Sequence, residues 1–152
     1  MGKKYIHYGH DKFQPEKLIN RPRDPYMQLY KPAGLWASPV DSEWGWKDWC
    51  EREEFDLERL TTHFTFALSP DARVLEIHHA DDIKDYLIAN EEHWGPERWY
   101  NYTLDTKAIE RDYDAMEVYM SDNYTELHDT SIFYIYDVDS LVVWNPDVII
   151  AE

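Results

Sequence analysis

The order in which two periodicities occur along this chain constrains its fold more than any other feature. Strand character comes first, helical patterns follow, and strands return at the end. "KKYIHY" (3–8) carries the β-favouring Tyr5, Ile6 and Tyr8 and stops at Gly9, while "GLWASP" (34–39) is a short extended segment closed by Pro39. Ser42 is the expected N-cap of a helix of about ten residues reaching Glu54, with Trp46, Trp49, Cys50 and Glu53 at the i, i+3, i+4, i+7 spacing of one face. "HFTFAL" (63–68) alternates with period two and "RVLEI" (73–77) is a further strand. "ADDIKDYLIAN" (80–90) has a helical stripe of Ile83, Leu87 and Ile88, and a short helix is expected near "TKAIERDY" (106–113). The remainder, "AMEVYM" (115–120), "SIFYIY" (131–136), "SLVVW" (140–144) and "DVII" (147–150), reads as strand. This succession predicts an α+β domain rather than a doubly wound sheet.

The 152 residues fit one domain, 1–152, which can bury roughly two thirds of its unfolded surface unaided. Cys50 is the single cysteine, so neither an internal disulfide nor a multi-cysteine zinc site is available. Residues 1–31 are too polar for a signal peptide and no apolar run suggests a membrane span, so a cytoplasmic location is expected, with no membrane partner. Between them, "PEKLIN" (15–20) suits one helical turn and "RPRDPYMQLYKPAG" (21–34) suits a long irregular loop of the kind that carries function. A net charge of −16 argues against unaided binding to a phosphate backbone. That charge is uneven: residues 1–31 hold seven Lys/Arg against three Asp/Glu, a net +4, which leaves −20 on the rest.

Three constellations could carry chemistry. His7-Tyr8-Gly9 closes the first strand, where an imidazole can hold a ribose hydroxyl or an amide and a glycine lets a ligand approach the backbone. "GLWASPVDSEWGWKDWC" (34–50) packs Trp36, Trp44, Trp46 and Trp49 into fourteen positions. Indoles of this kind either fill a core or stack on a planar ring, and since Trp44 and Trp46 are two apart on a helix they face differently, so at least one lines a cleft or the surface. In "AMEVYM" the period of two places Met116, Val118 and Met120 on a core face and Ala115, Glu117 and Tyr119 on the other, which aims Glu117 at solvent or a cleft. His78-His79 followed by Asp81 and Asp82 lacks metal-ligand spacing, so no metal site is expected, and Cys50 sits in an apolar stripe as a packed thiol.

In chain order, a strand histidine, a glycine-aromatic-small-serine segment before a helix, and a late strand glutamate resemble the ADP-ribosyltransferase fold, in its diphtheria-toxin-like and poly(ADP-ribose)-polymerase-like branch, and in particular its small bacterial or phage members. The resemblance implies two small, mostly antiparallel sheets around an NAD cleft with two or three helices. It implies that His7, Tyr8 and Gly9 hold NAD, and that Gly34, Trp36 and Ser38 form a second motif with tryptophan where tyrosine is usual. Trp46 or Trp49 would then supply the helix aromatic of a nicotinamide pocket, and Glu117 the acid that supports the transition state. The ending "SLVVWNPDVI" is similar to the family's terminal strand pair, in which the acid often precedes the last strand; here that position falls at Asp139-Ser140.

The resulting expectation is an NAD-dependent mono-ADP-ribosyltransferase acting on an unidentified protein or nucleic-acid acceptor, with NAD as co-substrate and the +4 segment near the pyrophosphate. Two alternatives stay open. One is an NAD-binding protein that has lost its acid; the other is a non-enzymatic acidic decoy that imitates nucleic acid in a partner's basic cleft.

Overall fold

The computed structural model describes residues 3–16, 32–89, 102–128, 132–133 and 136–152. The loop expected over 21–34 and the turn over 15–20 fall largely outside these residues, as do four of the seven cations of the basic segment, Lys17, Arg21, Arg23 and Lys31.

Seven strands form one sheet. β1 (Lys4–Tyr8), β2 (Leu35–Pro39), β3 (His63–Leu68), β4 (Val74–Ile77), β7 (Ala115–Val118), β8 (Ser140–Val143) and β9 (Ile149–Ala151) lie in the order β4-β7-β8-β2-β1-β3-β9. β5 (Leu87–Ala89) and β6 (Tyr102–Leu104) make a separate antiparallel ribbon. The helices are short: α1 (Trp46–Glu53), α2 (Thr106–Asp112) and α3 (Tyr124–His128), with 3-10 turns at Leu57–Thr61, Ala80–Tyr86 and Pro146–Val148. The α+β class is as the sequence implies. Among the described residues only β4 and β7 pair in parallel, and their connection carries the ribbon and α2, as a parallel crossover requires. Among the described residues no helix is long and apolar enough to cross a membrane.

The expectation of two separate sheets is corrected by β2. Its first three residues pair with β8 (Leu35 opposite Val143, Trp36 opposite Val142, Ala37 opposite Leu141), and its last two pair with β1 (Tyr5 opposite Pro39, Ile6 opposite Ser38). The halves β4-β7-β8-β2 and β1-β3-β9 are therefore joined by a short seam of two residue pairs, with one further backbone bond past Pro39, from Val40 N to the Lys4 carbonyl at 3.0 Å.

Alternation along the strands builds one core on each face. On one side Leu75, Ile77, Met116, Val118 and Val142 pack with Ile83, Ile109, Met120, Leu127, Ile132, Phe133 and Tyr136 from the helices and loops. On the other side Tyr5, Ala37, Phe64, Phe66, Ala115, Leu141, Val143 and Val148 make a second cluster. Gly34 marks where β2 and β8 approach closest, since a Cβ there would lie 2.4 Å from the Val143 carbonyl oxygen.

Three local expectations change. α1 begins at Trp46 with Gly45 as its cap rather than at Ser42; the first helical amide donates instead to Ser38 Oγ on β2 at 3.0 Å. The stretch expected as one helix over 80–90 is a 3-10 turn followed by β5, because pairing with β6 captures Leu87–Ala89. Of "SIFYIY", the described Ile132 and Phe133 lie in a turn closed by Tyr136 N donating to Phe133 O at 2.9 Å, and all three side chains are buried. They serve as wedges in the helix-side core, not as rungs of a ladder.

Candidate functional site

His7 sits on β1 directly beside β2. Its Nδ1 lies 2.7 Å from the Trp36 carbonyl oxygen, so that nitrogen carries the proton and donates; Nε2 then accepts from His10 Nδ1 at 2.9 Å. The ring stacks on His10 at 5.1 Å and meets Phe64 at a tilt, also at 5.1 Å. Both imidazole nitrogens are thus engaged, and a ligand hydroxyl can reach Nε2 only by displacing His10. Tyr8 turns to the opposite face toward α1, where burial first, then the charges of Asp48 and Glu51, raise its phenol above the usual range. Gly9 has φ +109, a conformation a side chain adopts only with strain, and the space a Cβ would enter is filled by Arg59 at 3.2 Å rather than left open for a ligand.

The four clustered tryptophans have separate fates. Trp36 is half-buried against the helix-side core, 5.9 Å from the Tyr136 ring. Trp46 and Trp49 stack on each other at 5.3 Å, with Phe55 edge-on to both. Trp44 is 38% exposed and leans on Tyr124 at 5.2 Å. Ser38, on β2, is buried and spends its hydroxyl as the cap of α1. Cys50 is fully buried at the back of that helix, and burial pushes its thiol up, away from nucleophilic use.

Glu117 is not exposed. All four residues of β7 are buried, and the Glu117 carboxylate is 3% exposed between Tyr5 Oη, which donates to Oε1 at 2.7 Å, and Lys3 Nζ, which donates to Oε2 at 2.7 Å. Lys3 also lies over the Tyr119 ring at 4.5 Å, and Tyr119 Oη donates to Glu76 at 3.1 Å. Burial, then the Glu117 charge, pushes both Tyr5 and Tyr119 well above ordinary phenol values. The face opposite Met116, Val118 and Met120 is covered because β1 arrives from the far end of the sequence and lays Lys3 and Tyr5 over it.

Trp36, His7 and Glu117 do not converge. Trp36 is in register with Val142 and hence with Met116, on the helix side of the sheet. Glu117 is in register with Leu141 and Ala37, a row that continues to His7 on β1, on the other side. Three strand spacings separate the His7 and Glu117 backbones, about 14 Å.

Asp139, the second position for an acid, precedes β8. Ser42 Oγ and Ser121 Oγ both donate to its Oδ2 at 2.8 Å, and Ser121 N donates to Oδ1 at 2.8 Å. It lines an open cavity of about 400 Å³ with Lys3, Ser42, Trp44, Tyr119 and Ser121. Its neighbour Ser140 is buried and bonded to the Val138 carbonyl at 3.0 Å. Lys3 and Tyr5 carry no local sequence signal for this cluster; the shared face of Glu117 and Tyr119 in "AMEVYM" is the one that points to it. His78 and His79 each meet a separate carboxylate, Asp122 at 2.7 Å and Glu126 at 3.5 Å, and no group of three or more ligating side chains is placed to hold a metal among the described residues.

The chain matches no family model, no curated protein and no solved structure.

Proposed function

We propose that this chain is an NAD-dependent mono-ADP-ribosyltransferase, with NAD lying along the β1–β2 seam and Asp139 as the acid. The observation that carries the reading is the adjacency of the motif strands. His7 and Trp36, 29 positions apart, are joined by a 2.7 Å hydrogen bond; Ser38 ties β2 to the helix that bears Trp46 and Trp49; and β8, which Asp139 precedes, is the next strand. Residues distant in sequence are thus gathered on three neighbouring strands, at the short seam between β1 and β2.

Both carboxylates are buried and bonded at both oxygens, and they differ in what lies beside them: Glu117 is enclosed by Tyr5 and Lys3, whereas Asp139 lines an open cavity whose volume lies within the ordinary range of small-molecule sites. A carboxylate near a ribose that is losing nicotinamide stabilises the positive charge as it develops, and removal of such a preorganised group costs on the order of 10²–10³-fold in rate. Glu117 then serves as an anchor that fixes β1 against β7.

Incubation of the protein with labelled NAD and a cell lysate tests this. Wild type labels a macromolecule, Asp139→Asn loses labelling by that factor while keeping its urea midpoint within the range where the protein is folded, and Glu117→Gln retains most of it after correction for stability. Equal labelling by wild type and Asp139→Asn, or no labelling and no saturable change of tryptophan fluorescence with millimolar NAD, refutes the proposal.

Two observations favour the second reading, a non-enzymatic acidic binder: both nitrogens of His7 are already bonded, and the charge outside residues 1–31 is −20. Salt-sensitive partner capture without NAD affinity selects it.

A further inference from the structure

We propose that residues 40–44 and the cavity beside them form a docking face for a basic segment of a partner protein, with an arginine guanidinium lying on the Trp44 indole between Asp41 and Glu43. The face does not depend on the transferase reading; within that reading it is where the acceptor protein engages.

The first argument is the contrast between how firmly this segment is held and what it displays. Ser42 N donates to the Pro39 carbonyl at 3.2 Å, Ser42 Oγ donates to Asp139 Oδ2 at 2.8 Å and accepts from Trp44 N at 3.0 Å, and Asp139 N donates to the Trp44 carbonyl at 2.9 Å. The backbone is thus pinned from within and from β8. Its side chains go the other way: Val40 is 51% exposed, Trp44 38%, and both Asp41 and Glu43 are exposed, with no hydrogen bond to either carboxylate from the described residues. A rigid turn that leaves an indole and an aliphatic side chain in water gives up burial that folding could have used, while it lowers the ordering cost of binding.

The second argument is charge. Asp41, Glu43 and Asp139 line the cavity, and Lys3 is the cation among its described lining residues. Lys3 is already spent on Glu117 at 2.7 Å, so it does not neutralise the mouth. An indole flanked by free carboxylates attracts a cation by ring quadrupole and by charge together, and arginine suits it better than lysine because its planar, weakly hydrated group stacks while its N–H donors reach both carboxylates. Trp44 is also the residue type that most often dominates an interface when it sits at its centre. A second copy of this chain does not fit, because −16 would meet −16.

Fluorescence anisotropy with a fluorescein-labelled peptide of alternating arginine and glycine tests the proposal, with the lysine-glycine counterpart alongside. Because the whole protein is acidic, bulk attraction is measured separately with the double variant Asp71→Asn/Asp85→Asn, which removes two exposed charges elsewhere. The expected results are saturable binding of the arginine peptide, weaker binding of the lysine peptide, a loss of roughly 3–30-fold in Trp44→Ala, and a larger loss in Asp41→Asn/Glu43→Gln than in the remote double. Trp44→Leu keeps apolar bulk against Tyr124, so its binding loss stands even if Trp44→Ala folds poorly. Equal losses in the two charge doubles, wild-type affinity in Trp44→Leu, or no saturable binding overturn the proposal. So does sedimentation showing a wild-type dimer that Trp44→Leu dissociates, since that makes the face a self-interface.

Discussion

Replacing Glu117 by glutamine distinguishes an anchor from an exposed acid, and its cost can be worked from the geometry. Two effects oppose each other. Glutamine removes a buried charge, which relieves desolvation, but it also removes two short charge-assisted bonds, each worth about 1.5–3 kcal/mol in comparable settings. The amide oxygen can still accept from Tyr5, so that bond is weakened rather than lost. On the other side the amide N–H₂ faces Lys3 Nζ, donor against donor, where 2.7 Å now separates Lys3 Nζ from Oε2. Lys3 is 37% exposed and can return to water, so its share is discounted to about 0–1 kcal/mol. The net expectation is a loss of about 2 kcal/mol, or roughly 4–8 °C in Tm for a domain of this size. Glu117→Ala, which also opens a cavity and strands the buried Tyr5 hydroxyl, costs about 4 kcal/mol. Urea unfolding followed by tryptophan fluorescence measures both, and a double-mutant cycle with Lys3→Met isolates the ion pair, expected at about 1 kcal/mol. Glu117→Gln within about 0.5 kcal/mol of wild type at pH 7 refutes the anchor.

Asp114 provides a pH test. Burial alone would raise its carboxyl, but hydrogen bonds from Asn145 Nδ2 at 3.0 Å and Arg73 N at 2.9 Å hold it below the usual carboxylate range. Because the folded value is the lower one, its stabilisation is present above about pH 4 and lost as pH falls through the depressed value. Wild type should therefore exceed Asp114→Asn in urea stability at neutral pH and converge with it below about pH 4; a constant gap refutes the assignment. Gly34→Ala sets a Cβ 2.4 Å from the Val143 carbonyl oxygen, which is backbone and cannot swing aside, so a loss of at least about 3 kcal/mol or failure to fold is expected, and a loss under about 1 kcal/mol contradicts the close approach of β2 and β8.

What was legible in the chain was local periodicity; what was not was coverage. The alternation in "AMEVYM" placed Met116, Val118 and Met120 in a core and Glu117 opposite them, as the sheet has it. Alternation assigns a face, yet it cannot say what lies over that face. Lys3 and Tyr5, which enclose Glu117, are 114 and 112 positions away, so nothing near the glutamate in sequence announces its burial. The same gap explains the tryptophans. Composition raised the question of four indoles in one segment, but Trp36 takes its place from Val142 across β2 and β8, and Trp44 from a turn fixed by Asp139, 97 positions beyond Ser42. The helix pattern over 80–90 failed for a related reason: Leu87–Ala89 carry the right spacing for either state, and the partner strand Tyr102–Leu104 decides it. In each case the local signal survives and the long-range partner redirects it. A carboxylate on an alternating strand therefore points to a site only once the residues over it are known; both oxygens of Glu117 and of Asp139 are bonded, and the acid to test first is Asp139 because it lines the open cavity while Glu117 lies beneath Tyr5 and Lys3.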